Sequence, residues 1–316
     1  MDLEKWKVFL AIAEFGNLSA AASRMNISQS GASYTIKQLE NEVGFTLFSR
    51  SKWKGMELTP SGQLVYEQIN NLLQESERFT QTISKINGNL TGSLRIGTFE
   101  SIAITLLPPI LAAFQKDFPK IDIYIKEGDN DYLERALRSQ KVDLCFSSYQ
   151  HRSGFHWIDL ALDPIMAILP SDHPLAQQDT VPIQVFNTEP FIVSMNIYDY
   201  DVNNVLRHSQ IKPTNIVCSS QNDHTILALV KQKLGISLLF ERIIATETNA
   251  LGLATGAVVA KLTEPLFARK LGIALPSLRN ATPATQTFIQ YAKRMFPELL
   301  CASRTVNMDN LSPIIP

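Results

Sequence analysis

The stretch "NISQSGASYTIKQLENEVG", Asn26–Gly44, decides how the first part of this chain is read. Ser28 is a helix cap and Gly44 a helix stop. Between them Ala32, Ile36, Leu39 and Val43 recur at spacings of four, three and four, the apolar stripe of one helix. The opposite face collects Gln29, Ser30, Ser33, Tyr34 and Lys37, all able to hydrogen-bond. A merely solvated face carries more charge and fewer hydroxyls, so the set reads as a contact surface. The bland alternative is the wet side of a small helical domain.

Upstream, Leu3, Trp6, Phe9, Leu10 and Ala13 mark a helix that Gly16 stops. A short Ala-rich helix follows to Met25, capped by Asn17 or Ser19, and Asn26-Ile27 form a tight turn. Two short helices joined by a few residues, the second with an exposed hydrogen-bonding face, make a helix-turn-helix pattern. Such a second helix can enter the major groove of duplex DNA and read base edges from its N-terminal residues. Gln29 suits adenine, Ser30 and Ser33 suit base edges or phosphates, and Lys37 reaches guanine or a phosphate.

Downstream, "FTLFSRSKWKGMELTPSG" places Arg50, Lys52 and Lys54 around Trp53. Gly55 permits a turn and Met56-Glu57-Leu58 returns as a strand, so a two-stranded wing is expected. Residues 1–60 hold seven bases and six acids, a net charge near +1, and three of those bases cluster at the wing. Phosphate contacts from such a cluster position a protein on DNA without reading sequence. A solvated basic loop is the plainer reading of the wing alone.

Residues Ser61 to Lys85 read as one long helix. Val65, Ile69, Leu72, Ser76, Phe79, Ile83 and Ile86 follow four-three heptad spacing, broken only at Ser76; the chain's own core is one cover for that seam and a dimer the expected one. "NGNLTGSL" then reads as a linker.

From about Ser93 strands and helices alternate. Strands are expected at Leu94–Gly97, Ile121–Lys126, Val142–Phe146 and Ile165–Leu169. Helices are expected at Ser101–Phe118, broken or kinked at Pro108-Pro109, and at Asp131–Ser139. A second set follows with strands at Phe191–Val193, Ile216–Cys218 and within "LGISLLF", and a helix from Asp223 to Lys233. A strand at Leu271–Ala274 and a helix from Pro283 to Phe296 close the chain. This order predicts parallel pairing with helices on the sheet faces, in two α/β subdomains with a crevice between them.

The whole composition is that of an ordinary folded protein: 316 residues, 45% hydrophobic, net charge −1. That charge excludes bulk attraction to nucleic acid, so any DNA site must be local. Three cysteines at no ligand spacing make a disulfide framework, a zinc site or any other metal site unexpected, and no cofactor is expected. No signal peptide or spanning segment is legible, so the expected place is the cytoplasm, away from membranes. G-x-S-x-G, P-loop, H-E-x-x-H and complete G-x-G-x-x-G motifs are absent, and "LGLATGAVVA" has its glycines at the wrong spacing, so no enzyme is expected.

The run "FLAIAEFGNLSAAASRMNISQSGASYTIKQLENEVGFTLFSR" followed by "LTPSG" resembles the N-terminal domain of LysR-type transcriptional regulators. "GSLRIG", "FPKIDIYIKEGD", "KVDLCFSS", "SDHPLA" and "LVKQKLGISLLF" resemble that family's effector domain. The resemblance implies an α-helical winged helix-turn-helix domain at 1–60 and a linker and dimerisation helix with hinge at 61–92. It implies an α/β effector-binding domain at 93–300 like periplasmic solute-binding proteins. Subdomain I would hold about 93–164 and 266–300, subdomain II about 165–265, and 301–316 would be a loosely structured tail. Under the resemblance the hinge strands lie near Ile165–Leu169 and Leu266–Lys270. It implies double-stranded promoter DNA and a small-molecule effector as partners, a dimer or dimer of dimers, and RNA polymerase as a further candidate partner. A solute-binding module with no transcriptional role is the alternative. Two positions depart from the family pattern: Tyr34 stands where a base is common, and Phe240 where proline is common.

DNA contacts are thus expected from Gln29, Ser30, Ser33, Tyr34 and Lys37 in the groove, with Arg50, Lys52, Lys54 and Thr59 on the backbone. In a two-subdomain fold the effector lies near strand C-termini and helix N-termini. That selects Thr98, Phe99, Glu100 and Ser101 at one strand end, and Ser147, Ser148 and Tyr149 at another. Met195 and Asn196 follow a third, Asn222 and Asp223 a fourth, and Phe240 could shape the crevice. Ser101 and Asn222 each have a simpler reading as helix caps. His224 reads as a surface or capping residue. Glu100 argues against a purely anionic effector.

Overall fold

The computed structural model describes residues 2–51, 55–149, 154–178, 180–194, 200–244, 257–263, 266–302 and 311–313, and divides the chain into two compact units, Met1–Ile86 and Asn87–Pro316.

In the first unit helix α1 (Leu3–Phe15) starts at Asp2, whose carboxylate accepts the Glu4 N–H, and stops at Gly16 with φ 61°. Helix α2 (Leu18–Arg24) is capped by Asn17, which accepts from the Ser19 and Ala20 N–H groups; Ser19 is therefore inside the helix rather than its cap. Helix α3 (Gln29–Val43) begins at Ser28, whose hydroxyl accepts the Gly31 N–H at 3.0 Å, and ends at Gly44. Ala32, Ile36 and Leu39 are buried with Trp6, Phe9, Ile12 and Ala21, and Val43 packs at the edge of that core. Strands β1 (Phe48–Ser51) and β2 (Gly55–Leu58) pair antiparallel as a wing. Glu40 ties α3 to it, accepting the Leu47 and Phe48 N–H groups at 2.8 and 3.3 Å.

Helix α4 (Pro60–Ile86) follows, and its heptad seam splits in use. Ile69 is buried in the unit's own core and Val65 packs against it, so this end of the seam needs no second chain. Leu72, Phe79, Ile83 and Ile86, farther along, are exposed.

In the second unit one mixed sheet runs β4-β3-β5-β12-β6-β11-β7. Its strands are β3 (Gly92–Thr98), β4 (Ile121–Glu127), β5 (Leu144–Ser148), β6 (His156–Pro170), β7 (Thr180–Val181), β11 (Ala257–Leu262) and β12 (Leu266–Leu275). Strand β10 (Ser237–Phe240) joins β6, and β13 (Leu311–Pro313) joins β12. Strands β8 (Phe191–Ser194) and β9 (Ile216–Ser220) pair in parallel as a separate ribbon. Strands β3, β4 and β5 pair in parallel, as the strand–helix alternation requires, whereas β5–β12 and β12–β6 are antiparallel.

The helices are α5 (Glu100–Thr105), α6 (Leu107–Asp117), α7 (Asn130–Arg138), α8 (Tyr200–His208), α9 (Asp223–Lys231) and α10 (Pro283–Ala302). The expected break in the 101–118 helix falls at Leu106, so that Pro108-Pro109 sit in the first turn of α6, where missing N–H groups cost little. Helix α10 outruns its expected end by six residues, since Leu300 is still buried, and β13 adds backbone pairing to β12 within the stretch expected to be a loose tail.

Two large apolar clusters hold this unit. One joins α6 and α10 across β3 and β5, with Phe114 edge-on to Phe288 at 5.3 Å. The other joins α8 and α9 to β10 and the second half of β6. Strand β6 serves both: Ile158, Leu160 and Ala161 pack on the first cluster, Ile165 to Leu169 lie inside the second. Its partner changes accordingly, from β12 up to Pro164 to β10 and β11 from Ile165 onward. The expected strand Ile165–Leu169 is therefore only the end of a fifteen-residue one.

Candidate nucleic-acid interface and effector cleft

On α3, Gln29, Ser30, Tyr34 and Lys37 are exposed and Ser33 is half-buried. Gln29, Ser30 and Ser33 form one wall of a concavity of about 550 Å³. Gly16, Asn17, Leu18, Gly55 and Met56 complete it. The Met56 N–H donates to the Gly16 carbonyl at 2.9 Å and so docks the wing on the end of α1. Gly55 has φ 79°, and a Cβ there would lie 2.4 Å from the Gly16 oxygen, so only glycine permits this approach.

Among the described residues the side chains of Gln29, Ser33 and Lys37 make no hydrogen bond or ion pair, whereas Ser30 Oγ lies 3.0 Å from Ser28 Oγ. Nearby bases are already committed: Lys5 to Glu42 at 2.8 Å and Lys7 to Glu4 at 2.7 Å. The Glu42 carboxylate holds the Lys5 ammonium above its ordinary pKa. Thr59 is committed as well. Its hydroxyl donates to the Thr46 carbonyl at 2.8 Å and accepts the Gly62 N–H at 2.9 Å, starting α4. Arg50 lies on β1 opposite Met56. Lys52 and Lys54 lie outside the described residues.

In the second unit a cleft of about 450 Å³ opens between the N-terminal ends of α5, α7 and α9. It brings together Phe99, Glu100, Ser101, Ser148, Asn222 and Asp223. Thr98 is fully buried beneath it, its carbonyl accepting the Gly128 N–H, and it does not line the cleft. Ser147 turns aside and donates to Asn130 Oδ1 at 2.8 Å. The Tyr149 ring packs edge-on to Trp157 at 5.2 Å. Met195 and Asn196 lie outside the described residues.

The two capping readings part here. Asn222 caps α9, accepting the Thr225 N–H at 2.9 Å. Ser101 caps nothing: Phe99 holds the cap position of α5, and Ser101 Oγ, in a residue 5% exposed, has no hydrogen-bond partner among the described residues. Asp223 Oδ1 meets Ser194 Oγ, from the end of β8, at 3.4 Å.

Two cleft residues were not expected from sequence in this role. His224 Nε2 stands 3.7 Å from Glu100 Oε1, joining the starts of α9 and α5. Arg269, on β12, gives Nε and Nη2 to one oxygen of Asp163 at 2.9 and 2.8 Å. The other Asp163 oxygen accepts the Arg242 N–H at 3.0 Å. Asp163 is fully buried; burial pushes its carboxyl up from the ordinary range, and the two arginines oppose that rise. The Arg269 guanidinium also lies 3.9 Å from the Phe240 ring centroid and 4.9 Å from that of Phe99. Phe240 is buried and does not line the cleft, so it acts on the crevice through Arg269. A partial signal was available: Arg269 falls within the expected hinge strand Leu266–Lys270, and Asp163 stands two residues before the other, Ile165–Leu169.

Residues 3–63 match the model for bacterial regulatory helix-turn-helix proteins of the lysR family, and residues 87–297 match the LysR substrate binding domain. The HTH-type transcriptional regulator YvbU of Bacillus subtilis (strain 168), itself uncharacterized, is 26% identical over 298 residues, covering 94% of this chain and 99% of YvbU. Full-length OxyR C199D of Pseudomonas aeruginosa superposes with a TM-score of 0.74 at 22% identity, covering 98% of this chain and 99% of that one. Full-length CbnR complexed with its target DNA gives 0.62 at 19% identity, covering 93% and 100%. These two share the fold.

Proposed function

The chain belongs to the LysR family of transcriptional regulators, and we propose that it reads its promoter with the exposed face of α3 and adjusts that binding to a small solute held in the 450 Å³ cleft. The observation that carries the reading is the α3 face itself: among the described residues the Gln29, Ser33 and Lys37 side chains have no partner, and Gln29 and Ser33 border a concavity shared with the wing. Tyr34, 64% exposed on the same face, offers a ring edge to a thymine methyl and a hydroxyl to a phosphate. Arg50, Lys52 and Lys54 supply phosphate contacts from the wing; Thr59 supports them by fixing the wing to α4.

The exposed run Leu72, Phe79, Ile83 and Ile86 is covered by the same run of a second chain, and dimers pair again on DNA. RNA polymerase is the further partner. Among the described residues no helix is long and apolar enough to cross a membrane, which accords with a cytoplasmic site of action. The curated relatives are transcriptional regulators, and the function proposed here requires no turnover.

The test is fluorescence anisotropy with DNA from upstream of the protein's own gene against scrambled DNA over a salt series. A preference of about 4 kcal/mol or more is expected, the lower margin of specific recognition. Ser33→Glu sets a carboxylate against the groove and should remove that preference while leaving the fold intact. A folded Ser33→Glu protein with undiminished specificity would displace α3 as the reading element.

A further inference from the structure

We propose that the solute this cleft takes carries a positive charge: a small ammonium-bearing molecule, not a purely anionic one. The inference rests on the cleft being the effector site.

Four carboxylates line the cleft: Glu100, Glu127, Asp129 and Asp223. The basic side chains on the same wall are the Arg269 guanidinium and the His224 imidazole. Arg269 is already matched by Asp163 at 2.8 Å, and His224 faces Glu100. The N-termini of α7 and α9 each contribute about half an elementary positive charge, together about one. Asp129, which caps α7 through the Tyr132 N–H, and Asp223 in the first turn of α9 answer that charge on their own. Glu127 remains in excess even with Glu100 set against His224, so the balance inside the cleft is acidic.

Ser101 adds an independent observation. Its hydroxyl is nearly completely buried, has no partner among the described residues and belongs to the cleft wall beside Glu100. A buried hydroxyl without a partner is unusual in a folded protein and calls for an occupant. An ammonium has three donors and no acceptor. One can go to Ser101 Oγ and another to the Glu100 carboxylate, with Glu127 or Asp223 balancing the charge. A carboxylate or phosphate in the same place would meet like charge on several sides and could use only the Ser101 proton and the backbone N–H groups.

The experiment uses three probes with the same carbon chain and different charge: 1,4-diaminobutane, 4-aminobutanoate and succinate. Each is titrated calorimetrically into the full chain without DNA. Binding should weaken in that order, with at least about tenfold between diamine and dicarboxylate, since like-charge contact is strongly penalised. The double variant Glu127→Gln/Asp223→Asn should shrink that gap by about tenfold while the protein stays folded by circular dichroism. Succinate binding as well as the diamine would overturn the proposal. So would failure of all three to bind below about 10 mM, or an unchanged gap in the double variant. Because the heats are read without DNA, loss of promoter preference in the anisotropy assay would strike the regulatory reading alone.

Discussion

Arg269→Met cuts one half of a buried ion pair and leaves the rest of its site in place. The Met stem keeps most of the volume, and its sulfur can lie between Phe99 and Phe240, where the guanidinium stood. Asp163 then keeps only the Arg242 N–H at 3.0 Å and the more distant Arg242 charge. Asp163 is fully buried and the Arg269 side chain is only 12% exposed, so water offers little relief. Removing one partner of such a pair costs about 3–5 kcal/mol. The double variant Asp163→Asn/Arg269→Met removes both charges, and Asn keeps an oxygen for the Arg242 N–H. It should recover most of that loss. Urea unfolding of the four proteins of this cycle reads the coupling directly. The penalty should also depend on pH. Burial already raises the folded-state pKa of Asp163, and losing Arg269 raises it further. A carboxyl raised in the folded state contributes stability that is full below its unfolded value, about 3.9, and is lost as pH rises through the folded value. The deficit of Arg269→Met should therefore widen from about pH 4 toward neutrality. A loss under about 1 kcal/mol at neutral pH, or a loss indifferent to pH, would refute the buried pair as an organiser of this site.

Gly55→Ala forces a side chain onto φ 79° and a Cβ to within 2.4 Å of the Gly16 oxygen; it should cost the first unit about 2 kcal/mol or more and weaken DNA binding, read by thermal unfolding and anisotropy. Phe79→Ser with Ile83→Ser removes two side chains that are 67% and 45% exposed in the single chain. If a second chain covers them, each is worth about 1.5–3 kcal/mol, and sedimentation equilibrium should show the dimer dissociating; an unchanged mass would refute the seam. Cys145 is buried, and burial drives its thiol far above the ordinary range, so iodoacetamide should leave it unmodified in the native protein and alkylate it only after unfolding, followed by peptide mass spectrometry.

The first unit was legible almost residue by residue because its signals are local: caps at Asn17 and Ser28, stops at Gly16 and Gly44, and a strict apolar spacing in α3. In the second unit the strands inside the parallel group were legible from their continuous apolar runs. The first half of β6, "HWIDLALD", was not, because its intermediate burial follows from pairing with β12, more than a hundred residues away. Helix α8 carries two asparagines and two valines, poor local helix signals, and is held by Val202 and Val205 in the core. Strand β11, hidden in a stretch weighed only as a glycine motif, is likewise made by β6. At the cleft, the residues at strand ends were legible from topology alone. Which of them turn inward was not: Ser101 and Ser148 line the cleft, while Thr98 and Ser147 do not. For Ser147 that difference is set by Asn130, whose proximity no local pattern encodes.

Strand β6 behaves mechanically like a leaf spring clamped at both ends. One clamp is its ladder with β12, which runs to Pro164, and the other its ladder with β10 and β11, which starts at Ile165, so the change of partner falls on the Pro164–Ile165 peptide. Pro164, the last residue opposite β12, has no N–H to contribute to either ladder. Beside that peptide Arg269 reaches from β12 to Asp163, whose other oxygen takes the Arg242 N–H, while the other face of Arg269 looks into the cleft. A solute that leans on Arg269 would press on the point where β6 changes partners, and a small displacement there would become an angular one at the far ends of the strand.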